Sequence, residues 1–336
     1  MMCRPAVTRC IAVIAAAALL VGAGATRAHA QAHVLIVSGL GGEKKFSDRF
    51  RTLASELAGA LHSRFGIPDA NIAWVGEDSV GRDVHYRGRS TSVAIEREMR
   101  AIRARVKTGE QVAVFFIGHG SGAESESRIS LPGPDLTVLD LQRILGTFSD
   151  QRVAIAMLGS GTGDMLPLLA VPGRVVITAT KTSYERNESR FAEHFVDAFA
   201  KDVADTDKDE RVSLLEAFTY AARETKRVYD DATKMQTEHS QLTDDGSKQG
   251  SAEPTGREGQ GMVARRYFFD ARAAAAAGDA QLSGLYREKF SLEEEVEALR
   301  QKKAAMDAAA YEAELERVLV ALSRKSREIR QAEGRP

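Results

Sequence analysis

Two apolar runs of the chain each end in a polar side chain held between glycines. Residues 112–117 (VAVFFI) precede a Gly-His-Gly that carries His119, and residues 153–158 (VAIAML) precede a Gly-Ser-Gly that carries Ser160. An imidazole can act as a general base toward a neighbouring hydroxyl, and this pairing is typical of nucleophilic acyl transfer. The pattern therefore predicts a histidine and a serine side by side, although glycines after strands also serve simple turns.

The elements that must position these side chains alternate along the chain. Short apolar runs indicate buried strands, and amphipathic stretches between them indicate helices. Strands separated by helices predict a parallel sheet covered on both faces, with ligands beyond the carboxyl ends of the strands. The predicted strands are 33–38, 72–75, 112–117, 153–158 and 174–179, and the predicted helices are 47–65, 91–106, 138–146 and two within 190–233.

The order of these segments resembles the legumain-type peptidases of the caspase-like fold. The similarity covers residues 33–200 and includes the turn GIPD at 66–69, the strand end VFFIGHGSG, the connection LPGPDLTVLDL and the strand VAIAMLGSG. The resemblance implies an α/β, caspase-like three-layer sandwich with a mostly parallel sheet. It also implies a peptidase-type cleft at the strand ends.

The resemblance assigns roles within this cleft. His119 matches the family's base, and the backbone N–H of Gly120 matches one donor of its oxyanion hole. Leu158 stands at the position of the catalytic cysteine, and leucine has no nucleophilic atom. The two cysteines of the chain, Cys3 and Cys10, lie in the first thirty residues. We therefore expect no activity as a cysteine peptidase, and no cofactor for catalysis.

Two interpretations of Ser160 stay open at this point. Its hydroxyl either bonds to nearby backbone in a turn or replaces the missing thiol as the nucleophile. The loop 180–190 resembles the family's substrate pocket, where Glu185 or the pair Glu188-Ser189 matches a Glu-Ser-Ser motif.

The N-terminus predicts export. Residues 1–30 contain basic residues, an uncharged apolar run and a final Ala-His-Ala, which together form the pattern of a cleaved signal peptide. Its removal takes away three arginines and no acid, so the formal net charge changes from −1 to about −4. Basic and acidic residues are interspersed, which argues against nucleic-acid binding. We expect a periplasmic or secreted product without a membrane anchor.

An acidic loop at 205–216 has the spacing of a calcium-binding loop. The candidate ligands stand at positions one, three, five, seven, nine and twelve, with a backbone carbonyl at position seven. They are Asp205, Asp207, Asp209, Arg211, Ser213 and Glu216. A structural Ca²⁺ is one interpretation. The other is a solvated turn in which Ser213 and Glu216 form the capping box of the next helix.

The domain organisation follows from composition. Residues 31–239 form the caspase-like domain, 240–261 are a polar loop expected to be flexible, and 262–277 are a last strand and linker. Residues 278–336 form a charged helical tail, either one coiled-coil strand or a helical hairpin, with a capping box at Ser291. The tail either packs on its own domain or joins copies of the chain.

Three functions are compatible with these features. The first is an inactive peptidase homologue that binds a peptide or protein through the old cleft. The second is a hydrolase that uses Ser160 with His119. The third is a calcium-dependent scaffold that associates through its C-terminal helices.

Overall fold

The computed structural model describes residues 31–78, 83–206, 208, 211–269 and 279–334. The expected signal peptide at 1–30 lies outside these residues, as do Asp207, Asp209 and the linker at 270–277.

Most of the strands form one sheet at the centre of the molecule. In chain order they are β1 (Ala32–Ser38), β2 (Ile72–Gly76), β3 (Tyr86–Arg89), β4 (Gln111–Ile117), β5 (Gly120–Ser121), β6 (Arg128–Ile129), β7 (Leu136–Thr137), β8 (Arg152–Met157), β9 (Pro172–Thr178) and β10 (Gln241–Asp245). The main sheet has the order β10-β9-β8-β4-β1-β2-β3. Its neighbours run parallel except for β10, which is antiparallel to β9. Strands β5, β6 and β7 form a small antiparallel sheet beside it.

Helices cover both faces of the main sheet. They are α1 (Lys44–Ser63), α2 (Ser92–Arg105), α3 (Val138–Leu145), α4 (Leu166–Leu169), α5 (Phe191–Ala200) and α6 (Leu214–Asp231). Helices α1, α5 and α6 pack on one face, and α2, α3 and α4 pack on the other. Alternate residues of β1 point to opposite faces, so Val34 joins the first core cluster and Leu35 the second. Burial on both sides explains why these strands are apolar throughout. The expected α/β three-layer sandwich with a mostly parallel sheet is confirmed.

The edge of the sheet differs from the prediction. The last strand is β10, which lies inside the segment 240–261 that we expected to be a flexible polar loop. Its polar residue Asp244 is buried because its carboxylate accepts hydrogen bonds from the N–H groups of Gly261, Val263 and Ala264. Because its buried carboxylate is fully hydrogen-bonded, this strand does not need a run of apolar residues. Its polar sequence therefore does not predict a strand.

The segment 262–269 adds no strand to the main sheet. It forms a short 3₁₀ turn at Ala264–Arg266 and a single antiparallel bridge between Phe268 and Ser213. Its apolar residues pack in the core instead. Tyr267 and Phe269 are buried, and the Tyr267 hydroxyl donates to the carbonyl of Val112 at 3.0 Å.

The tail is a helical hairpin rather than one long helix. Helix α7 (Ala280–Lys302) and helix α8 (Ala308–Ala332) pack together through the side chains Val296, Leu299, Tyr311 and Val318. The predicted capping box at Ser291 is wrong, because α7 already begins at Ala280 with Asp279 as its N-cap. None of the helices in the described residues is long and apolar enough to cross a membrane.

Candidate functional site

Glycines allow the carboxyl ends of β1, β4 and β8 to approach one another closely. A Cβ atom at Gly159 would lie 1.7 Å from the carbonyl oxygen of Gly118, and one at Gly39 would lie 2.7 Å from the carbonyl oxygen of Ser130. Neither position has room for a side chain. These glycines therefore permit contact between backbones, and they bring the residues that follow β4 and β8 together.

The structure places His119 and Ser160 directly beside each other. The two residues form a parallel bridge, and the His119 Nδ1 lies 3.0 Å from the Ser160 Oγ. The backbone of Gly41, which follows β1, also lies near the imidazole and favours its protonated form, which raises its pKa. In the tautomer that carries its proton on Nε2, the Nδ1 lone pair can accept the Ser160 proton.

The surroundings of His119 favour its neutral form. Burial lowers the pKa of the imidazole, and the charge of Arg49 lowers it further, while the Gly41 hydrogen bond and the charge of Glu188 oppose the shift. The rings of Phe46 and Phe50 contact the imidazole edge-on, each with its centroid at 5.1 Å. A neutral histidine at neutral pH is the form that can act as a general base.

Leu158 lines the same small cavity as His119 and Ser160, and its side chain also belongs to the core cluster that includes α1 and α5. It makes no hydrogen bond to the imidazole, because leucine has no polar side-chain atom. The side chain within hydrogen-bonding distance of the His119 ring belongs to Ser160, two residues later.

The hydroxyl of Ser160 is therefore bonded to an imidazole rather than to nearby backbone. The turn role that we considered for it belongs to Thr162 instead. The Thr162 hydroxyl lies 2.9 Å from the carbonyl oxygen of Gly159 and 3.3 Å from that of Met157.

The proposed oxyanion donor is engaged within the protein. The Gly120 N–H donates to the carbonyl of Ser160 at 2.8 Å. A developing oxyanion needs donors that are already aimed at it, so this hydrogen bond must break before Gly120 can serve. In the described conformation the Gly120 amide holds the two strand ends together.

Only part of the expected substrate-pocket loop borders the cleft. Glu188 and Ser189 line it together with Phe46 and His119. Glu185 points elsewhere: its carboxylate accepts from the backbone N–H groups of Lys181 and His239, and it contacts the His239 ring at 2.7 Å. Glu185 thus ties the loop to the segment before β10.

Arg49 closes the cleft from α1. Its guanidinium pairs with Glu188, lies 2.9 Å from Glu193 and donates to the carbonyl of Ser189 at 2.8 Å. The remaining cavity has a volume of about 10 Å³, which is room for about one water molecule. Ser160 is accordingly only 4% exposed.

Phe46 and Arg49 were not recognised as site residues from the sequence. Their spacing with Phe50 does indicate one face of a helix. It does not indicate that the first turns of α1 lie over the ends of β4 and β8, because that placement depends on how the helix packs.

In the described part of the acidic loop, the Glu216 carboxylate caps the N-terminus of the next helix. Ser213 and Glu216 form the capping box of α6, and the Glu216 carboxylate also accepts from the N–H and hydroxyl of Thr206. Arg211 lies 2.6 Å from Glu293 of α7 and stacks on Phe268. Since Asp207 and Asp209 lie outside the described residues, the calcium site stays a prediction.

No family model and no curated protein matches this chain. Among solved structures, the chain is similar to the protein GSU0716 from Geobacter sulfurreducens, with 9% sequence identity and a TM-score of 0.41 over 58% of this chain and 89% of that one. It is also similar to drICE, a caspase, with 10% identity and a TM-score of 0.34 over 62% of this chain and 86% of that one. At these values the similarities do not establish an activity for this chain.

Proposed function

We propose that the chain is an exported hydrolase that uses Ser160 as its nucleophile and His119 as its general base. The observation that carries this proposal is the 3.0 Å contact between the Ser160 Oγ and the His119 Nδ1. A hydroxyl within hydrogen-bonding distance of an imidazole is the pairing of nucleophile and base that is typical of acyl-transfer sites.

The reaction that these groups would support is hydrolysis of an acyl bond. The Ser160 Oγ attacks the carbonyl carbon while its proton moves to the His119 Nδ1. The imidazolium then gives that proton to the leaving group, and water reverses the sequence to release the acid. The peptidase-related, caspase-like fold makes a peptide bond the first substrate class to test.

The cleft must open for this reaction to occur. The space beside Ser160 holds about one water molecule, and the ion pair between Arg49 and Glu188 lies across it. Movement of the first turns of α1 would carry Phe46 and Arg49 away together. The Gly120 N–H must also leave the Ser160 carbonyl to meet an oxyanion.

The closed cleft also favours a second candidate, a non-catalytic homologue that binds a peptide or protein. Its specific support is the engaged Gly120 N–H, because a site without a free oxyanion donor loses about 10²–10³-fold in rate. In that case the contact between His119 and Ser160 is structural.

Labelling with a fluorophosphonate probe distinguishes the two candidates. The probe should modify Ser160 in the chain starting at residue 31, and the Ser160→Ala and His119→Gln variants should each abolish labelling. Ser189→Ala is the matched control, because Ser189 also lines the cleft but its hydroxyl donates to Glu238. Folded protein that takes up no label at Ser160, or takes it up equally without His119, would exclude the hydrolase and leave the binding function.

A further inference from the structure

We propose a zinc-class metal site at the opposite end of α1, formed by His62, Asp69 and His85. His62 lies in the last turn of α1, Asp69 opens the short 3₁₀ turn before β2, and His85 directly precedes β3. One ligand atom from each residue lies within 4.8 Å of the others. The three residues are brought together only by the fold.

The hydrogen bonds of Asp83 determine which nitrogen of His85 is available. The Asp83 Oδ1 lies 3.0 Å from the His85 Nδ1 and accepts the His85 backbone N–H at 2.9 Å. The Asp83 Oδ2 accepts the hydroxyl of Ser55 at 2.8 Å. In the tautomer in which Nδ1 donates to this carboxylate, Nε2 carries the lone pair that a metal could take up. A carboxylate that orients a histidine is the usual outer partner of a metal ligand.

The free nitrogen faces another group that carries lone pairs. The His85 Nε2 lies 2.9 Å from the Asp69 Oδ1, and the His62 Nδ1 lies 3.0 Å from the same oxygen. A bare imidazole nitrogen and a carboxylate oxygen repel each other at this distance. A metal cation between them would remove this repulsion.

The chemistry of the three ligands favours a late first-row divalent metal. Two imidazoles and one carboxylate suit zinc, whereas calcium and magnesium prefer oxygen ligands. Metal bonds of about 2.0–2.2 Å would separate tetrahedral ligand atoms by roughly 3.3 Å. The two contacts of the Asp69 oxygen, at 2.9 and 3.0 Å, therefore need to widen only slightly, while the two histidine nitrogens lie within 4.8 Å of each other. About half of each side chain of His62 and Asp69 is exposed, which leaves a water molecule access to the fourth position.

Two neighbouring groups oppose binding. The His62 Nδ1 also lies 3.0 Å from the carbonyl oxygen of Ile67, and this contact must be given up to the metal. The guanidinium of Arg87 contacts the carbonyls of Asp69, Ile72 and Val84, and its positive charge lowers the affinity. A bound metal would link the end of α1 to the connections on either side of β2.

Calorimetric titration of the tag-free chain with ZnCl₂ tests the site. We expect one equivalent of zinc to bind, in a manner that excess calcium does not reverse. The same protein loaded with Co²⁺ should show visible absorption bands of a four-coordinate site. The Asp83→Asn variant keeps all three ligands and should lower the zinc affinity by about 10–100-fold.

The ligand variants decide the outcome. His62→Gln and Asp69→Asn change half-exposed side chains, so these proteins should fold and lose the tight zinc equivalent. His239→Gln is the matched control, because His239 is a half-exposed histidine paired with a single carboxylate, Glu185. Zinc that binds the unaltered chain no more tightly than the His62→Gln/Asp69→Asn double variant would overturn the proposal.

Discussion

A single engineered thiol can show which residue stands opposite His119. The chain has no cysteine after residue 30, so in protein that starts at residue 31 Ser160→Cys and Leu158→Cys each introduce a single thiol. The sulfur at position 160 would lie next to the His119 Nδ1, where the oxygen now lies at 3.0 Å. The sulfur at position 158 would lie in the core, where Leu158 is 1% exposed.

The expected difference is one of thiol pKa. An ordinary cysteine has a pKa of about 8.5, and an adjacent imidazole can lower it to roughly 6.5. At pH 5.5 this raises the thiolate fraction about 90-fold, and the lower nucleophilicity of such a thiolate reduces the gain in rate to about tenfold. Leu158→Cys also costs about 1.5–3 kcal/mol of unfolding free energy, because it removes buried carbon atoms and leaves a cavity.

The assay is the rate of alkylation by iodoacetamide between pH 5 and 9. The Ser160→Cys protein should show an inflection well below pH 8.5, and adding His119→Gln should return it to the ordinary value. Both positions are almost fully buried, so Leu158→Cys controls for access of the reagent. A Ser160→Cys thiol that titrates normally, and that is indifferent to His119, would refute the placement of these two residues.

Three further predictions concern stability. In a urea titration, Gly159→Ala should lower the unfolding free energy by about 3 kcal/mol or more, because the added Cβ would overlap the Gly118 carbonyl. The control Gly59→Ala, on the open face of α1, should instead raise it by about 0.5–1 kcal/mol. Because burial lowers the folded-state pKa of His119, the unfolded chain takes up a proton there before the folded chain does as the pH falls below about 6.5, and stability is lost. Between pH 7 and 5 the unaltered chain should therefore lose more unfolding free energy than the His119→Gln variant. Equal losses in the two proteins would contradict the buried environment assigned to His119. Calcium should raise the melting temperature of the unaltered chain and not that of Glu216→Gln, and no change in either would argue against the calcium loop.

Much of the fold could be predicted because the relevant signals are local. Apolar runs between amphipathic segments located β1, β2, β4, β8 and β9 to within about two residues. The edge strand β10 could not be found in this way, since its buried Asp244 is satisfied by N–H groups about twenty residues later in the chain. The apolar residues near Tyr267 suggested a strand, but they are apolar because they fill the core.

The amino-acid sequence by itself determined the layered α/β architecture, the histidine and serine at neighbouring strand ends, and the absence of a thiol after residue 30. Each of these depends on residue type and spacing along one stretch of chain. Only the tertiary structure decided that the Ser160 hydroxyl lies within hydrogen-bonding distance of His119, that Phe46 and Arg49 close the cleft, and that His62, Asp69 and His85 meet. The distances between these side chains depend on strand register, on helix packing and on the paths of the connecting segments. None of these can be read from a pattern along one stretch of the chain.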